Sequence, residues 1–319
     1  MQYDVIADIH GCADALVSLL SKLGYRDQQG AWRHAERQVI FVGDFIDRGP
    51  KQLETINIAR RMVDAGTALA VMGNHELNAI AWFTPDPSNP GAFFRKHTQG
   101  NRNQHAAFLK EVEGTPLHAE IIGWFKTLPL WLELPGLNVV HACWHEPFIA
   151  KLASVLGPHR TLPDTLHGEA FVEPDDRASK DTADFTVFKA VEALTKGMEA
   201  NLPAGYAFRD ADDHERTRVR VQWWQSGKVA FMDGAEVHPT IRGQLATIDS
   251  TMHMPAHATL GYSRETPVIF GHYWRTGTPE TIQNGRLACI DYSVAKGGQL
   301  VAYRWEGESL LVNEHFVSV

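Results

Sequence analysis

The sequence predicts an α/β (α+β) fold in which helices flank two packed mixed β-sheets. Short runs rich in Val, Ile and Phe recur along the chain, and their length and composition are typical of strands buried on both faces. Helical patterns separate the first three runs, whereas no helical pattern separates the last ones. The predicted strands are residues 3–7, 38–42, 68–72, 137–140, 268–270, 287–290 and 300–305.

The first 75 residues alternate strand and helix patterns, which is typical of βαβ units and a parallel sheet. Leucines recur at helical spacing in residues 13–23, and Gly24 offers a stop. Pro50 suits the first turn of a second helix, which continues to Met62 and ends before Gly66. By contrast, residues 287–317 contain three strand patterns joined by glycine-rich turns, which predict antiparallel hairpins.

The stretch from residue 146 to about residue 265 has a mixed pattern. A helix is predicted over residues 185–199, and residues 173–176 form a Glu-Pro-Asp-Asp cluster typical of a loop. Residues 216–224 alternate polar with apolar side chains, which favours a strand with one polar face over a surface that binds nucleic acid. We interpret residues 1–319 as one domain in which residues 146–265 form an insertion or cap.

The composition excludes several classes of protein. The 319 residues are 44% hydrophobic and 21% charged, as in a globular protein. The net charge of −8 argues against bulk binding of nucleic acid or anionic membranes. Three scattered cysteines indicate a reducing compartment, and neither a signal peptide nor a long apolar run is evident. We therefore expect a cytoplasmic protein without a membrane partner.

Five consecutive predicted strands deliver Asp, His or Asn at their carboxyl ends. In an open α/β sheet this edge is where ligands bind. Asp8 and His10, after the first strand, are two residues apart, so an extended backbone would project both side chains to the same side. The strand-end residues are Asp8 and His10, Asp44, Asn74, His141 and His272.

These six side chains supply three oxygen donors and three imidazoles. This mixture suits manganese, iron or zinc better than calcium, which prefers cages made of oxygen alone. Six ligands are too many for one ion that keeps an open position, but they suit two ions that share one carboxylate. Two such ions would activate water for direct attack on phosphorus, so no side-chain nucleophile is needed.

Three motifs in sequence order carry a family resemblance. They are Asp-x-His-Gly at residues 8–11, Gly-Asp-x-x-Asp-Arg-Gly at residues 43–49 and Gly-Asn-His-Glu at residues 73–76, followed by His141 and His272. The set resembles the calcineurin-like metallophosphoesterases, in the phosphoprotein phosphatase branch that includes Ser/Thr phosphatases and symmetrical dinucleoside tetraphosphatases. The resemblance covers residues 1–80, the region of His141 and residues 268–305. It implies the family's four-layer sandwich of two β-sheets between helices.

The resemblance also implies a role for each matching residue. Asp8 and His10 would bind the first metal, Asp44 would bridge, and Asn74, His141 and His272 would bind the second. The resemblance assigns His75 as the proton donor to the leaving oxygen and Arg48 as the group that binds phosphate. Asp47 and Glu76 would orient a histidine or arginine, and Asp291 would support the site, although Tyr292 and Ser293 follow it where Thr-Gly is usual. An extended segment at residues 74–75 would let Asn74 face metal while His75 faces substrate.

The resemblance leaves the substrate open. Our first interpretation is a dinuclear hydrolase of phosphomonoesters similar to Ser/Thr protein phosphatases, with manganese as the first choice of metal and iron, zinc, cobalt or nickel as alternatives. A hydrolase of dinucleoside polyphosphates, other nucleotides or RNA ends is the second. A non-catalytic metal-binding scaffold is an alternative of another class. The partner is accordingly a phosphoprotein, a nucleotide or a small phosphoester. A second phosphate-binding arginine could be Arg209, Arg218, Arg220 or Arg242.

Overall fold

The computed structural model describes residues 2–172, 186–209 and 215–319. The strands are β1 (Gln2–Ile6), β2 (Arg26–Gln28), β3 (Ala31–Arg33), β4 (Arg37–Phe41), β5 (Ala68–Ala70), β6 (Trp131–Leu134), β7 (Leu137–Val140), β8 (Glu199–Asn201), β9 (Phe208–Arg209), β10 (Glu215–Arg216), β11 (Arg218–Val221), β12 (Ala235–Glu236), β13 (Val268–Phe270), β14 (Leu287–Cys289), β15 (Asp291–Tyr292), β16 (Gln299–Trp305) and β17 (Phe316–Ser318). The helices are α1 (Ala13–Lys22), α2 (Gln52–Asp64), α3 (Asn74–Phe83), α4 (Gln99–Gln104), α5 (Ala106–Val112), α6 (Pro116–Phe125), α7 (Glu146–Ala153), α8 (His167–Phe171), α9 (Val187–Lys196), α10 (Phe231–Gly234) and α11 (Pro239–Gln244).

The first sheet has the strand order β15-β16-β1-β4-β5, with β17 paired to β16. Strands β1, β4 and β5 are parallel, which confirms the parallel region predicted for the first 75 residues. In the register, Ile6 lies opposite Phe41, and Phe41 lies opposite Ala70. The three strands therefore end at the same edge of the sheet, where the loops that follow them meet.

The second sheet has the order β14-β13-β7-β6, with β13 parallel to both β7 and β14. Its residues share one hydrophobic core with those of the first sheet, so the two sheets pack together as predicted. The five strands that carry the motifs are divided between the two sheets, three in the first and β7 and β13 in the second. The loops after β7 and β13 are joined by a hydrogen bond from the Gly271 amide to the His141 carbonyl at 2.8 Å.

The prediction of three antiparallel strands over residues 287–317 is partly wrong. Strand β14 is parallel to β13 and belongs to the second sheet, whereas β15, β16 and β17 form the antiparallel part of the first. The chain crosses between the sheets at Ile290, whose amide still bonds to the Phe270 carbonyl at 2.8 Å. Short 3-10 turns at Val294–Lys296 and Asn313–His315 lie between the antiparallel strands.

Helix α2 begins at Gln52, so Pro50 precedes the helix and does not occupy its first turn as predicted. Hydrogen bonds explain this boundary. The Gly49 amide bonds to the His10 carbonyl at 2.8 Å, and the Lys51 amide bonds to the Gly11 carbonyl at 3.0 Å. These bonds hold residues 49–51 against the loop after β1, so helical hydrogen bonding starts only beyond them.

The region of the predicted insertion contains a small sheet of order β12-β11-β8 with its own hydrophobic cluster. Helix α9 falls within the predicted helix at residues 185–199, but Phe185 and the cluster at residues 173–176 lie outside the described residues. In β11, Val219 and Val221 are buried between less buried arginines, which confirms the predicted strand with one polar face. The assignment of residues 146–265 as an insertion within one domain stays a prediction.

In the part of the chain that the structure describes, no helix has both the length and the apolar character needed to cross a bilayer.

Candidate metal centre

The loops that carry the motifs have an unusual backbone. Positive φ is uncommon for residues other than glycine, and where it occurs the strain often marks a functional site. The left-handed residues in these loops are His10 (φ 49°), Asp44 (φ 53°), Asp47 (φ 72°), Arg48 (φ 73°), His272 (φ 73°) and Trp274 (φ 52°). The positive φ of His10 also means that the segment from Asp8 is not extended as predicted.

The carboxylate of Asp44 lies at the middle of the site. Its Oδ2 is 3.4 Å from Nε2 of His141, 3.7 Å from Nε2 of His10 and 4.0 Å from Nε2 of His75. Two buried groups of potential metal ligands share this carboxylate, and within each group the ligand atoms lie within 4.8 Å of one another. One group is His10, Asp44 and His75, and the other is Asp44, His141 and His272.

Backbone carbonyls set the tautomers of two of these histidines. Nδ1 of His10 donates to the Ile46 carbonyl at 2.8 Å, and Nδ1 of His141 donates to the Val42 carbonyl at 2.7 Å. When these histidines are neutral, both Nε2 atoms therefore present lone pairs to the centre, as metal-binding histidines do. The buried Nε2 of His10 has no hydrogen-bond partner among the described residues, which is the condition that a cation would relieve.

Asn74 brings a further acceptor to the same place. Its Oδ1 lies 3.2 Å from Nε2 of His141 and 2.9 Å from Nδ1 of His272. An amide oxygen has no proton to give, and Nε2 of a neutral His141 has none either, so lone pairs converge here. The mixed nitrogen and oxygen donors fit a divalent transition metal.

The electrostatics of the site differ among the three imidazoles of this donor set. Burial, together with the nearby charge of His75, lowers the pKa of His10 to about 3. Burial and then Arg220 lower the pKa of His272, so both imidazoles are neutral at physiological pH. Burial opposes the charged form of His141, but Asp44 and Asp8 outweigh it and raise the pKa of His141 to about 10. The carboxylates thus favour a positive charge at this position.

Asp8 lies beside the centre without joining either group of ligand atoms. Its carboxylate accepts a hydrogen bond from the His272 amide at 3.1 Å. Burial first, and then the charges of Asp291 and Asp44, raise the pKa of Asp8. In the structure His75 therefore lies next to His10 and Asp44. This is the position that we expected Asp8 to occupy from the sequence. The assignment of Asp8 as a ligand stays a prediction.

Glu76 bonds to the backbone, and among the described residues no hydrogen bond joins it to a histidine or arginine side chain, so the orienting role stays a prediction. Its carboxylate accepts hydrogen bonds from the amides of Asp44 and Phe45, both at 2.8 Å, and of Gly73 at 3.1 Å. Burial and the neighbouring Asp44 raise the pKa of Glu76 to about 7. The Glu76 carboxylate thus links the motif at residues 43–49 to the motif at residues 73–76 by hydrogen bonds.

His75 occupies the first turn of α3, so the expected extended segment at Asn74 and His75 is wrong. The two side chains still diverge, because successive residues of a helix point about 100° apart. Nδ1 of His75 donates to Oδ2 of Asp47 at 2.5 Å, and Nδ1 of His105 donates to the same carboxylate at 2.8 Å. Asp47 therefore bonds to two histidines, although its assignment as an orienting residue stays a prediction. His105 carried no sequence signal.

Arg48 and Arg220 bring positive charge to the rim of the centre. The guanidinium of Arg48 lies over the ring of Trp274, with Cζ 3.9 Å from the ring centroid. Nη1 of Arg220 donates to the His272 carbonyl at 3.0 Å. The structure thus brings one of the four candidate arginines to the site. No motif pointed to Trp274.

Asp291 supports this rim through the backbone. Its Oδ2 accepts from the Trp274 amide at 2.8 Å, and its Oδ1 accepts from the Ser293 amide at 3.0 Å. A buried cluster of potential metal ligands, a histidine with a raised pKa and two arginines at the rim together suit hydrolysis at phosphorus.

The first half of the chain matches a known protein family. Residues 1–163 match the sequence profile of the calcineurin-like phosphoesterase family. The asymmetrical bis(5'-nucleosyl)-tetraphosphatase PrpE of Oceanobacillus iheyensis is 32% identical over 179 residues, which are 55% of this chain and 67% of that protein. PrpE of Halalkalibacterium halodurans is 49% identical, but the match covers only 31% of its length.

Matches along almost the whole chain also occur. The symmetrical bis(5'-nucleosyl)-tetraphosphatase of Psychromonas ingrahamii is 23% identical over 312 residues, which are 96% of this chain and 94% of that protein. Among solved structures, a cold-active protein-tyrosine phosphatase of Shewanella aligns over 96% of this chain and 78% of its own, with 16% identity and a TM-score of 0.45.

Proposed function

Because this chain belongs to the calcineurin-like phosphoesterase family, we propose that it is a metal-dependent phosphohydrolase that cleaves dinucleoside polyphosphates of the tetraphosphate type. One observation carries the choice of substrate. The match to the symmetrical tetraphosphatase of Psychromonas ingrahamii extends over 96% of this chain, so it includes the region between His141 and His272, from which Arg220 reaches the centre. The match to the asymmetrical enzyme of Oceanobacillus iheyensis points to the same class of substrate.

This proposal reverses the order of our interpretations from sequence. The motifs favoured a Ser/Thr protein phosphatase first and a dinucleoside polyphosphatase second. The curated relatives described above favour the second. Membership of a hydrolase family also disfavours the non-catalytic scaffold, as do Arg48 and His75 beside the candidate metal ligands.

The donor set fits a pair of divalent cations, for which we propose manganese first. Asp44 would contact both ions, with His10 on one side and His141, His272 and Asn74 on the other. Bound there, the ions would supply Lewis-acid activation of the attacking water and neutralise charge on the phosphate. Asp8 would add its negative charge at the ion that His10 binds.

We assign His75 as the proton donor to the leaving oxygen. Its Nδ1–H is held by Asp47 at 2.5 Å, so Nε2 is directed at the centre, 4.0 Å from Oδ2 of Asp44. Burial would lower the pKa of His75, but the charge of Asp44 and the bond to Asp47 outweigh burial and raise it. The raised pKa favours a proton at Nε2, where the departing oxygen can take it.

Arg48 and Arg220 would bind the reacting phosphate. A guanidinium offers two parallel N–H donors that match two phosphate oxygens. The ring of Trp274 under Arg48 and the His272 carbonyl bonded to Arg220 hold both side chains at the rim. The two arginines would fix the phosphorus over the centre.

The test is a comparison of substrates on manganese-loaded protein. Diadenosine tetraphosphate, a phosphoserine peptide and nitrophenyl phosphate are assayed side by side, with Asp44→Asn as the inactive control. We expect the highest kcat/KM on the tetraphosphate, with either ADP alone or ATP plus AMP as products. A higher kcat/KM on the phosphopeptide would overturn the proposal and restore the protein phosphatase interpretation.

A further inference from the structure

A second histidine donates to the carboxylate that holds His75. Nδ1 of His105 lies 2.8 Å from each carboxylate oxygen of Asp47, and Nδ1 of His75 lies 2.5 Å from Oδ2 of the same group. A carboxylate anion has no proton to give, so both imidazoles carry a hydrogen at Nδ1. The Asp47 carboxylate is thus held by two N–H donors, of which only His75 belongs to a motif.

All three side chains are shielded from solvent. Asp47 is 2% exposed, His105 is 3% exposed and His75 is 9% exposed. Because water has little access, a buried carboxylate that loses one of its donors also loses the free energy of that bond. A carboxylate bonded to His75 alone could turn about its Cβ–Cγ bond. His105, which approaches both oxygens, limits this rotation.

Hydrogen bonds to the start of α2 position both partners of this second bond. His105 immediately precedes α5, and the Glu111 carboxylate in α5 accepts from the amides of Gln52 at 3.0 Å and Leu53 at 2.9 Å. The Gln52 side chain in turn accepts from the Asp47 amide at 2.6 Å. Helix α5 and Asp47 are therefore fastened to the same residue of α2.

The other surroundings of the His105 ring are aromatic. Its centroid is 5.1 Å from that of Phe108 and 6.3 Å from that of Trp82, and both of these side chains are buried. Nε2 of His105 has no hydrogen-bond partner among the described residues. An apolar side chain would suit such surroundings better, because an unpaired buried nitrogen costs free energy. The bond to Asp47 is therefore what an imidazole adds at this position.

We infer that His105 is a positioning residue for proton transfer. Its Nδ1–H fixes the Asp47 carboxylate, and the carboxylate directs Nε2 of His75 at the leaving oxygen. His105 acts through these two residues and is assigned no contact with the substrate. The inference rests on the proposed function, because it requires that His75 is the proton donor.

The test compares two aryl phosphates of similar size on manganese-loaded protein. Nitrophenolate departs readily as an anion, whereas the more basic phenolate depends on a proton donor. In His105→Leu we expect kcat on phenyl phosphate to fall about tenfold, the factor that one charge-assisted hydrogen bond supplies, and kcat on nitrophenyl phosphate to fall less than about twofold. KM on both esters and the metal content should match those of the parent.

Two variants separate positioning from a general effect on packing. His105→Asn should recover most of the lost kcat on phenyl phosphate, because its amide can present an N–H near the position of Nδ1. His118 is also buried, and its ring centroid is 5.6 Å from that of Phe108, but among the described residues no hydrogen bond joins it to Asp47. His118→Leu should therefore leave the ratio of the two kcat values unchanged.

A second readout does not depend on turnover. In zinc-loaded protein with isotope-labelled histidine, the Nδ1 proton of His75 should give a sharp NMR signal, which His75→Asn identifies by its loss. In His105→Leu this proton should exchange faster with water and its signal should broaden. In His105→Asn the signal should persist. If His105→Leu does not fold, His105→Gln takes its place, because the glutamine amide lies one bond beyond the Nδ1 position.

Equal losses on the two esters in His105→Leu, no loss on either, or an unchanged His75 signal would overturn the role of His105. His75→Asn is assayed in parallel. If its losses do not depend on the leaving group, the assignment of His75 fails and the inference fails with it. If they do, and those of His105→Leu do not, the inference alone fails. Neither ester is a polyphosphate, so failure to cleave diadenosine tetraphosphate would count against the proposed substrate only.

Discussion

Nδ1 of His75 donates a hydrogen bond to Oδ2 of Asp47 at 2.5 Å, which fixes the orientation of the one histidine at the centre that we assign to proton transfer. The carboxylate is 2% exposed and also accepts from His105. Charge from both histidines outweighs burial and lowers the pKa of Asp47, so it remains an anion that favours protonated His75. His75 is thereby distinguished from His10, whose Nδ1 donates to a neutral carbonyl.

This pairing predicts a dependence on the leaving group. His75→Asn should retain its metals but slow hydrolysis of a phosphoserine peptide by about 10²–10⁴-fold, the usual contribution of general acid catalysis. Nitrophenyl phosphate should lose much less, since nitrophenolate departs as a stable anion. The measurement is kcat on both substrates with matched metal content. Equal proportional losses would mean that His75 orients the substrate and does not donate a proton.

Gly271 should tolerate no side chain, because a Cβ there would collide with Oδ1 of Asp8 and with Val42. We expect Gly271→Ala to cost about 1–3 kcal/mol of unfolding free energy, as overpacking does, and to lower activity by displacing Asp8. Gly123→Ala in α6 is the control, since nothing lies within 4 Å of its added Cβ. The control should be neutral or slightly stabilising in urea denaturation. Equal effects of the two substitutions would contradict close packing at Gly271.

Asp4 should matter for stability and not for metal binding. It is fully buried in β1, accepts from Nε of Arg37 and the Tyr25 hydroxyl, both at 3.0 Å, and lies about 13 Å along the strand from Asp8. Asp4→Ala leaves the buried Arg37 with only the longer contact to the exposed Glu306, at 3.8 Å, and should cost about 3–5 kcal/mol of unfolding free energy.

The control for Asp4 is Glu113→Ala, which breaks an exposed ion pair with Arg102 and should cost far less. Both variants should bind as much manganese as the parent by elemental analysis. Loss of metal in Asp4→Ala, with its fold intact, would contradict a purely structural role.

The part of the site that the sequence could predict lies in contiguous motifs at strand ends. Asp44 and His10 belong to such motifs, and parallel strands necessarily end at one edge of a sheet. The helical start of α3 is not evident from the motif, because the expected roles of Asn74 as ligand and His75 as proton donor suggest an extended segment and not a first turn closed by Glu76.

The rest depends on contacts between distant segments. Arg220 reaches the carbonyl of His272, 52 residues away, and His105 reaches Asp47, 58 residues away. No local pattern distinguishes Arg220 from Arg218, because both lie on the same face of β11 and only the position of the strand relative to His272 selects one of them. The sheet to which β14 belongs is likewise set by pairing with β13, which a short apolar run does not specify.

The most direct test of the central claim is the metal content of Asp44→Asn beside that of the parent after reconstitution with manganese. The geometry makes Asp44 the one residue common to both ligand groups. We expect two ions per parent chain and loss of both in the variant, whereas Asp86→Asn, at a half-buried position in the loop after α3, should retain two. Two ions still bound to a folded Asp44→Asn, or loss of just one, would contradict a centre built around a shared carboxylate.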